Sequence, residues 1–356
     1  MIHQIVIQNY KSITHLELEL GRLNVFIGEN GCGKTNVLEA ITCSSVGVVS
    51  YKSLPETLLS LKGVRITDPL LMQPVFEQKN ATTEIIITDH LKNKFTLELK
   101  DFQENTTIKH HIDLTPESKE GKDYLDLSDT DYFLVQTHLS QFLNYAPENY
   151  FLRRFEEEGQ IRPIGIRGEG LFKHLVQLYK NQPDLLSKIR DKLRLIGWFE
   201  GFEIPSDLMF TERRINIKDK YLQEIDFFDQ RSANEGFLYL LFYFTLFISP
   251  YTPAFFAIDN IDNALNPKLC SELIRQLASL CTEHNKQVIL TTHNPAILDG
   301  LDLHDDNQRL FTIYRNADGH TIARRIKPLK EVKGVEKVRL SEAFIRGYLG
   351  GLPKNF

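Results

Sequence analysis

The sequence has little cysteine and no long apolar run. Its four cysteines, Cys32, Cys43, Cys270 and Cys281, are scattered without a Cys-x-x-Cys pair, which argues against a disulfide framework or a zinc site and favours a reducing compartment. The most apolar stretch, residues 237–248, is too short to span a bilayer and is better interpreted as a buried helix. The N-terminus shows no signal-peptide pattern. We therefore expect a soluble, cytoplasmic protein with no membrane partner.

A strong charge imbalance and a sustained heptad pattern are also missing. The 356 residues carry a formal net charge of −5, so the overall charge does not indicate nucleic-acid binding, although it is compatible with a local basic face. The length predicts two domains, or one large domain with insertions. Because no heptad pattern lasts for more than a turn or two, we expect no long coiled coil.

What the sequence does contain is a complete phosphate-binding loop motif. Residues 28–35 read Gly-Glu-Asn-Gly-Cys-Gly-Lys-Thr, between a run suited to a buried strand and a run suited to a helix, which is the context that this motif requires. The glycines let several N–H groups point into one cavity, and the helix presents its positive end there. Lys34 supplies a cation for the β- and γ-phosphates, and Thr35 supplies a hydroxyl ligand for Mg²⁺. The predicted nucleotide-binding residues of the loop are Gly28, Asn30, Gly31, Cys32, Gly33, Lys34, Thr35 and Asn36.

Two later strands end in residues suited to catalysis. A buried strand over residues 255–258 is followed by Asp259, the pattern of an aspartate that orients Mg²⁺ in P-loop proteins. A second buried strand, over residues 287–292, is followed by His293. A lone histidine is normally structural, but its position after such a strand leads us to interpret it as a sensor of the γ-phosphate.

The rest of the chain is first β-rich and then helical. Alternating runs at residues 5–7 and 16–20 predict an antiparallel pair leading into the phosphate loop, and three β-like runs between residues 83 and 112 predict an antiparallel insertion. Residues 131–235 have a helical pattern, with a break at Pro183.

Two questions stay open on the residues alone. In the turn between the first two strands, Tyr10 or Lys11 could reach the base of a nucleotide, or the tyrosine could simply pack within the hairpin. The second question concerns a basic helix face, which is either solvated or a surface for DNA or a partner protein. Its residues are Lys188, Arg190, Lys192 and Arg194.

With these motifs in this order, the chain resembles an ABC-type ATPase head of the RecF, SMC and OLD group, especially the short ATPases of bacterial anti-phage systems such as Septu, retron and PARIS. The resemblance covers residues 1–50 and 231–325. It lies in the opening Ile-Gln-Asn-Tyr-Lys-Ser of residues 7–12, in the phosphate loop, in a Walker B and D-loop pattern at 256–267, and in Thr-His-Asn-Pro at 292–295. It implies ATP and Mg²⁺ as cofactors.

The resemblance also implies a fold class and a domain plan. The fold is α/β, an ABC-ATPase head with a RecA-like P-loop core and an antiparallel β subdomain, to which a β insertion and a helical subdomain are added. Residues 1–50 and 236–325 would form the ATP-binding core, and 51–135 a mainly β insertion. Residues 136–235 would form a helical subdomain ending in a signature-like loop, and 326–356 a C-terminal helix and tail.

Two departures from the group concern catalysis. The signature loop usually has Ser, then an acidic residue or Gly, then Gly, whereas Asn234, Glu235 and Gly236 stand here; Asn can still donate to the γ-phosphate held by a second subunit. A Glu normally follows the Walker B Asp as general base, but Asn260 cannot accept a proton. Asp262 could substitute through a shifted water. We therefore expect slow hydrolysis or a persistent nucleotide-bound state.

Two further features of the group bear on this chain. Its members usually have a Gln after the insertion that senses Mg²⁺, and here Gln136 and Gln141 are both candidates. OLD nucleases carry a Toprim domain after the ATPase, but too few residues follow His293 for one, and they contain no Asp-x-Asp cluster.

These expectations lead to one main hypothesis and three alternatives. The protein is an ATP-binding, slowly hydrolysing switch that forms a homodimer or higher oligomer, with ATP between Lys34 of one subunit and Asn234 of another. It would control a separately encoded effector, a nuclease or toxin, in anti-phage defence. The alternatives are a RecF-like DNA-repair ATPase that binds nucleic acid and a constitutive nucleotide-bound scaffold. The long gap to Asp259 and the strand-end His293 disfavour the third, a P-loop kinase.

Overall fold

The computed structural model of this chain describes most of its sequence. The described residues are 1–50, 53–65, 68–76, 81–100, 107–155, 161–205, 212–328 and 338–351. Within these ranges the strands form three sheets, of five, three and six strands, and helices pack against them.

The elements of the described ranges have the following bounds. The strands are β1 (Ile2–Tyr10), β2 (Ile13–Glu19), β3 (Leu23–Ile27), β4 (Thr83–Asp89), β5 (Lys94–Lys100), β6 (Thr107–Asp113), β7 (Asn144–Tyr145), β8 (Phe199–Glu203), β9 (Asn216–Asp219), β10 (Phe228–Asp229), β11 (Phe255–Ile258), β12 (Gln287–Thr292), β13 (Gln308–Arg315) and β14 (Thr321–Ile326). The α-helices are α1 (Lys34–Gly47), α2 (Glu56–Leu61), α3 (Pro69–Met72), α4 (Pro116–Tyr124), α5 (Asp129–Thr137), α6 (Asn149–Arg154), α7 (Leu171–Asn181), α8 (Pro183–Leu193), α9 (Glu235–Ile248), α10 (Pro267–Glu283) and α11 (Leu340–Ile345). Short 3₁₀ helices cover Leu139–Gln141 and Pro295–Gly300.

An antiparallel sheet has the strand order β2-β1-β4-β5-β6. Ile5 and Ile7 of β1 are fully buried, because alternate residues of a strand face the same side. Ile7 lies opposite Leu16 of β2 and Ile85 of β4. The antiparallel pair before the phosphate loop and the three strands between residues 83 and 112 are confirmed. They are parts of one sheet, so the predicted insertion extends the N-terminal pair.

A second sheet has the order β14-β13-β3-β12-β11-β7. Its strands from β13 to β7 are parallel, and β14 pairs antiparallel with β13. Every residue of β3, β11 and β12 is buried, as in strands that are covered on both faces. Since parallel strands end at the same edge, the segments that follow these three strands come together there.

The stretch that was expected to be helical contains a third sheet. The helices α7 and α8 confirm the predicted break at Pro183. Between them and α9, however, strands β8, β9 and β10 form a small antiparallel sheet. These strands have only two to five residues, which is too short for a period-2 pattern to be told from a helical one.

The buried apolar residues form two clusters, one on each face of the parallel sheet. One contains α9, whose residues from Phe237 to Ile248 are all buried, together with the apolar faces of α7, α8 and α10. The other lies between α1 and the antiparallel sheet. None of the helices in the described ranges combines the length and apolar character needed to cross a bilayer.

The last described segment is short. The predicted C-terminal helix is α11, which packs against the 3₁₀ helix Pro295–Gly300. The tail of residues 352–356, predicted to be exposed, lies outside the described residues. All four cysteines are free and buried.

Candidate functional site

The phosphate loop joins β3 to α1 in a backbone conformation that depends on glycine. Gly31 and Gly33 have φ of +74° and +107°, a region that glycine adopts freely. A Cβ on Gly28 would lie 2.0 Å from the carbonyl oxygen of Ile313, and one on Gly33 would lie 2.1 Å from Oγ1 of Thr321. The loop is thus seated directly against β13 and β14.

Polar contacts fix the outer side of this loop. Thr321 Oγ1 donates to the carbonyl of Cys32 at 2.9 Å and lies 2.7 Å from Ser12 Oγ. Asn36 Nδ2 donates to the same Ser12 oxygen at 2.7 Å, and Arg315 Nε donates to the carbonyl of Gly31 at 3.0 Å. The turn after β1, the loop and the β13–β14 hairpin are therefore held together.

Lys34 stands at the centre of the loop and is almost fully buried. Its ammonium group donates to the carbonyls of Gly28 and Glu29 at 2.8 and 2.9 Å and lies 3.4 Å from Nδ1 of His293. Burial lowers the pKa of Lys34, while neighbouring Cys32 opposes that shift. Because these carbonyls are neutral, the buried positive charge of Lys34 has no counter-charge among them, and a bound anion would supply one.

Asp259 ends β11 at the same edge of the sheet and is buried. Its Oδ1 accepts a hydrogen bond from Thr291 Oγ1 at 2.5 Å. Its Oδ2 forms an ion pair with Arg65, whose side chain is 57% exposed. Sequence reasoning missed Arg65, because a single arginine in a stretch without a motif gives no signal of a contact with a residue 194 positions away.

The two residues predicted to modify hydrolysis follow directly. Asn260 has φ +57°, a left-handed conformation that Asn tolerates better than most other residues. Its backbone N–H donates to Thr291 Oγ1 at 2.9 Å. Asp262 accepts from Thr292 Oγ1 at 2.6 Å, which holds its carboxylate beside the end of β12.

His293 follows β12 and lies between the loop and the acidic residues. Partial burial, and then the positive charge of Lys34, lower its pKa. The ring is therefore neutral at pH 7, with one nitrogen that donates and one that accepts. The structure thus brings Lys34, Asp259, Asp262 and His293, four of the predicted site residues, to one edge of the sheet.

The signature-like loop forms the start of α9. The side chain of Asn234 accepts from the N–H of Phe237 at 2.9 Å and so caps the helix. A Cβ on Gly236 would lie 3.2 Å from the carbonyl of Ala264, and the side chain of Glu235 accepts from Asn149. Beside the loop is a cavity of about 960 Å³. Among the described residues, no hydrogen bond or ion pair joins this loop to the phosphate loop of the same chain.

Gln136 is not brought to the site. Its carbonyl accepts from the amino group of Met1 at 2.9 Å, and the adjacent Ile2 donates to Gln287, the first residue of β12. Because β12 rises about 3.3 Å per residue, this amino-terminal end lies at the edge of the sheet opposite the phosphate loop. Gln141, the other candidate, is exposed in a 3₁₀ helix.

The residues that are present fit a nucleoside triphosphate with Mg²⁺. The N–H groups of the first turn of α1, from Lys34 to Asn36, have no partner within that helix. The buried ammonium of Lys34 adds a positive charge. Thr35, which is partly exposed, and Asp259 offer oxygen ligands of the kind that Mg²⁺ prefers. The bound metal would neutralise phosphate charge and hold the triphosphate in place.

Comparison with known proteins agrees with this geometry. A model of the family described as "AAA domain, putative AbiEii toxin, Type IV TA system" matches residues 23–299. The DNA replication and repair protein RecF of Rickettsia bellii is 45% identical over 42 residues, and so is RecF of Rickettsia canadensis. Each of these matches spans only 12% of the chain and 12% of the curated relative.

Solved structures of SMC heads share the fold. The SMC head domain of Thermotoga maritima aligns over 92% of this chain and 99% of its own, at 14% identity and a TM-score of 0.50. An SMC head bound to the C-winged helix domain of ScpA aligns over 92% of this chain and 97% of its own, at 14% identity and a TM-score of 0.56. A third structure is an SMC head domain with an extended coiled coil, bound to the C-terminal domain of ScpA derived from Pyrococcus furiosus. It aligns over 92% of this chain and 96% of its own, at 11% identity and a TM-score of 0.55. The predicted ABC-ATPase head fold is confirmed.

Proposed function

The chain belongs to the AAA-domain family that matches residues 23–299, and we propose that this ABC-type ATPase is a switch that closes around ATP as a homodimer. Each ATP would lie between the phosphate loop of one subunit and the signature-like loop, residues 234–236, of the other. Nucleotide would thereby control the assembly of the protein, which in turn would control a separate effector.

The observation that carries this proposal is that the signature-like loop has hydrogen-bond donors without partners. The backbone N–H groups of Asn234, Glu235 and Gly236 have no partner among the described residues. They lie at the amino end of the 14-residue helix α9, where the helix dipole favours an anion. The side-chain amide of Asn234 remains available as a further donor, because only its oxygen is used in capping. This element, with its unused donors, thus has no hydrogen bond to its own phosphate loop among the described residues, which supports a role in binding the phosphate of a second subunit.

Binding of the γ-phosphate by the signature-like loop of the other subunit would make the switch specific for ATP. In this arrangement the loop of the partner would meet the γ-phosphate, which ADP lacks, so ATP would favour the dimer through contacts that exist only in that state. Lys34 and His293 would hold the same phosphate from the side of its own subunit.

Slow hydrolysis would keep the dimer closed. Asn260 stands where a general base is expected and cannot accept a proton from the attacking water. Its left-handed backbone is a conformation that suits Asn, and Asp262 is held on Thr292. His293 would be left to orient the water and the γ-phosphate. We propose that the ATP-bound state therefore lasts long enough to act as a signal.

The role in defence rests on the family. Its description includes the words "putative AbiEii toxin, Type IV TA system", which supports placing the chain in a two-component system. We propose that the second component is a separately encoded nuclease or toxin that binds one nucleotide state of the dimer.

The direct test is the mass of the protein in solution. Size-exclusion chromatography with light scattering should give a monomer with ADP and Mg²⁺ and twice that mass with ATP and Mg²⁺. A wild-type protein with the same mass in both conditions would contradict the switch. A protein that purifies with tightly bound nucleotide and keeps one mass throughout would instead support the constitutive scaffold.

A RecF-like role in DNA repair is the second candidate. The 42-residue match to RecF favours it, and the basic residues of α8 offer a surface. One of these, Lys188, is however paired with Glu283. Salt-dependent binding of duplex DNA that stimulates hydrolysis would support this candidate over the switch.

A further inference from the structure

The triphosphate site leaves the position of the nucleotide base unassigned, but the geometry restricts it to one side. His293, Asp259 and Asp262 gather at the ends of β12 and β11 and mark the side of the loop where the γ-phosphate belongs. The other side of the loop contacts β13 and β14 through Gly28 and Gly33. A base that points away from the γ-phosphate would lie on this second side, near the β13–β14 hairpin.

The residues proposed from the sequence to meet the base are not available for it. Tyr10 is fully buried, with its hydroxyl 3.8 Å from Sγ of Cys43, and burial raises the pKa of that hydroxyl. Lys11 is buried in an ion pair with Glu39. The interpretation of Tyr10 as a packed hairpin residue is the correct one.

Two other rings stand on the required side. Phe76 and His320 contact each other with ring centroids 4.5 Å apart and planes tilted by 43°. His320 directly precedes Thr321, whose hydroxyl holds the phosphate loop at Cys32. Phe76 follows Val75, whose N–H donates to the carbonyl of Lys11 at 3.0 Å. Both rings are therefore attached to elements that touch the phosphate loop or the turn beside it.

The ring pair is held in place by local contacts. His320 Nδ1 lies 3.2 Å from Thr14 Oγ1, and the backbone N–H of His320 donates to the side chain of Asn316 at 2.9 Å. Gly319 has φ +87°, and a Cβ there would lie 3.1 Å from Cζ of Phe76. Even so, Phe76 remains 40% exposed. A large aromatic side chain thus keeps a solvent-facing surface beside a polar, phosphate-binding loop.

We propose that Phe76, supported by His320, is the platform on which the base of the bound nucleotide stacks. A purine is the class of ligand that fits, because it presents the largest π-face to an aromatic ring. This inference rests on the proposed nucleotide function, because the triphosphate must first be anchored at the loop. It adds a binding residue that is outside every sequence motif of the chain.

The experiment compares ATP with a ligand that has no base. Isothermal titration measures the affinity for a non-hydrolysable ATP analogue and for inorganic tripolyphosphate, both with Mg²⁺. The variants are wild type, Phe76→Ala, Phe76→Trp and a control, Tyr221→Ala, which removes an aromatic side chain that is 70% exposed on the loop between β9 and β10.

The proposal predicts a selective loss. Phe76→Ala should weaken binding of the ATP analogue about tenfold, the typical effect of removing one base–aromatic stack, and leave tripolyphosphate binding within about twofold. Phe76→Trp should retain the wild-type affinity, and so should Tyr221→Ala. Thermal unfolding of each variant without ligand should still show a cooperative transition, so that a selective loss of ATP binding is not a loss of the fold.

Other results would overturn the proposal in distinguishable ways. Equal ATP affinity in Phe76→Ala and wild type would remove the stacking role. A parallel loss of both ligands would make Phe76 a support of the phosphate loop. A wild-type protein that binds tripolyphosphate as tightly as ATP would show that no base platform exists, whereas one that binds neither would overturn the nucleotide function itself.

Discussion

The ammonium of Lys34 lies 3.4 Å from Nδ1 of His293, although 259 positions separate the two residues in the sequence. The contact exists because β3 and β12 are parallel neighbours, with Ile27 opposite Thr292, so the residues that follow them share one edge. It brings a buried cation and an imidazole together at the edge of the sheet where the proposed γ-phosphate would bind.

Removing the cation should weaken nucleotide binding strongly. Lys34→Ala deletes the buried ammonium, and we expect the affinity for ATP to fall on the order of 100-fold, since charge-assisted hydrogen bonds to phosphate are among the strong ones. Isothermal titration measures the change. Lys188→Ala, which removes a lysine paired with Glu283 on α8, is the control and should bind as wild type does. Similar affinities in both variants would refute the assignment of the loop.

Restoring the missing base should speed hydrolysis. Asn260→Glu adds a carboxylate directly after Asp259, and we expect turnover to rise at least about tenfold, within the range for a general base. Asn260→Gln, which shares the left-handed backbone and the side-chain length but has no base, should stay slow. The rate of phosphate release under saturating ATP measures the turnover of both variants and of wild type. The explanation fails if both variants hydrolyse ATP at the wild-type rate.

The buried His174 should make stability depend on pH. It is 1% exposed, and burial lowers its pKa to about 4, so below the unfolded value of about 6.5 the unfolded chain binds a proton that the folded chain does not. The neutral, buried His174 therefore makes its full contribution to the free energy of unfolding above pH 6.5. This contribution is lost as the pH falls towards 4. Between pH 7 and pH 5 this loss is about 2 kcal/mol.

The matched variant for this effect is His174→Gln, which cannot ionise. Urea denaturation at the two pH values should show a fall in the free energy of unfolding that is smaller by that amount than in wild type. Other histidines with lowered pKa, such as His138 and His284, contribute equally to both proteins and cancel. An unchanged pH dependence would show that His174 is not the group responsible.

The buried ion pair between Lys11 and Glu39 should be costly to break from one side. Lys11→Met leaves the carboxylate buried without its counter-charge, and we expect a loss of about 3 kcal/mol in the free energy of unfolding. The double variant Lys11→Met/Glu39→Gln removes the charge but keeps an acceptor for the N–H of Arg65, which Glu39 holds at 2.9 Å. The double variant should lose less free energy of unfolding than Lys11→Met alone, as measured by urea denaturation. A larger loss in the double variant would contradict this explanation.

Local patterns were sufficient to predict the strands at the core of the fold and to select the candidate site residues that follow them. The strands β3, β11 and β12 each contain at least three consecutive apolar residues and are followed directly by Gly28, Asp259 and His293. Runs of this kind can be found without knowledge of their partners. Their meeting at one edge follows from the parallel order of such strands.

What the sequence did not reveal depends on contacts between distant segments. The strand β7 has only two residues and gains its identity from pairing with β11. The Arg65–Asp259 pair and the Phe76–His320 contact join segments that have no motif. Gln136 was misplaced because a residue type alone does not show that its helix, α5, packs at the far edge of the sheet, beside the amino group of Met1.

The most direct test of the composite ATP site mixes two variants. Lys34→Ala removes the phosphate-loop cation, and Asn234→Asp keeps the cap of α9 but sets a negative charge against the γ-phosphate of the other subunit. In sedimentation velocity with ATP and Mg²⁺, each variant alone should remain monomeric, while an equimolar mixture should form dimers, because it restores one intact pair of loops. A mixture that stays monomeric while wild type dimerises, or an Asn234→Asp protein that dimerises like wild type, would contradict the account.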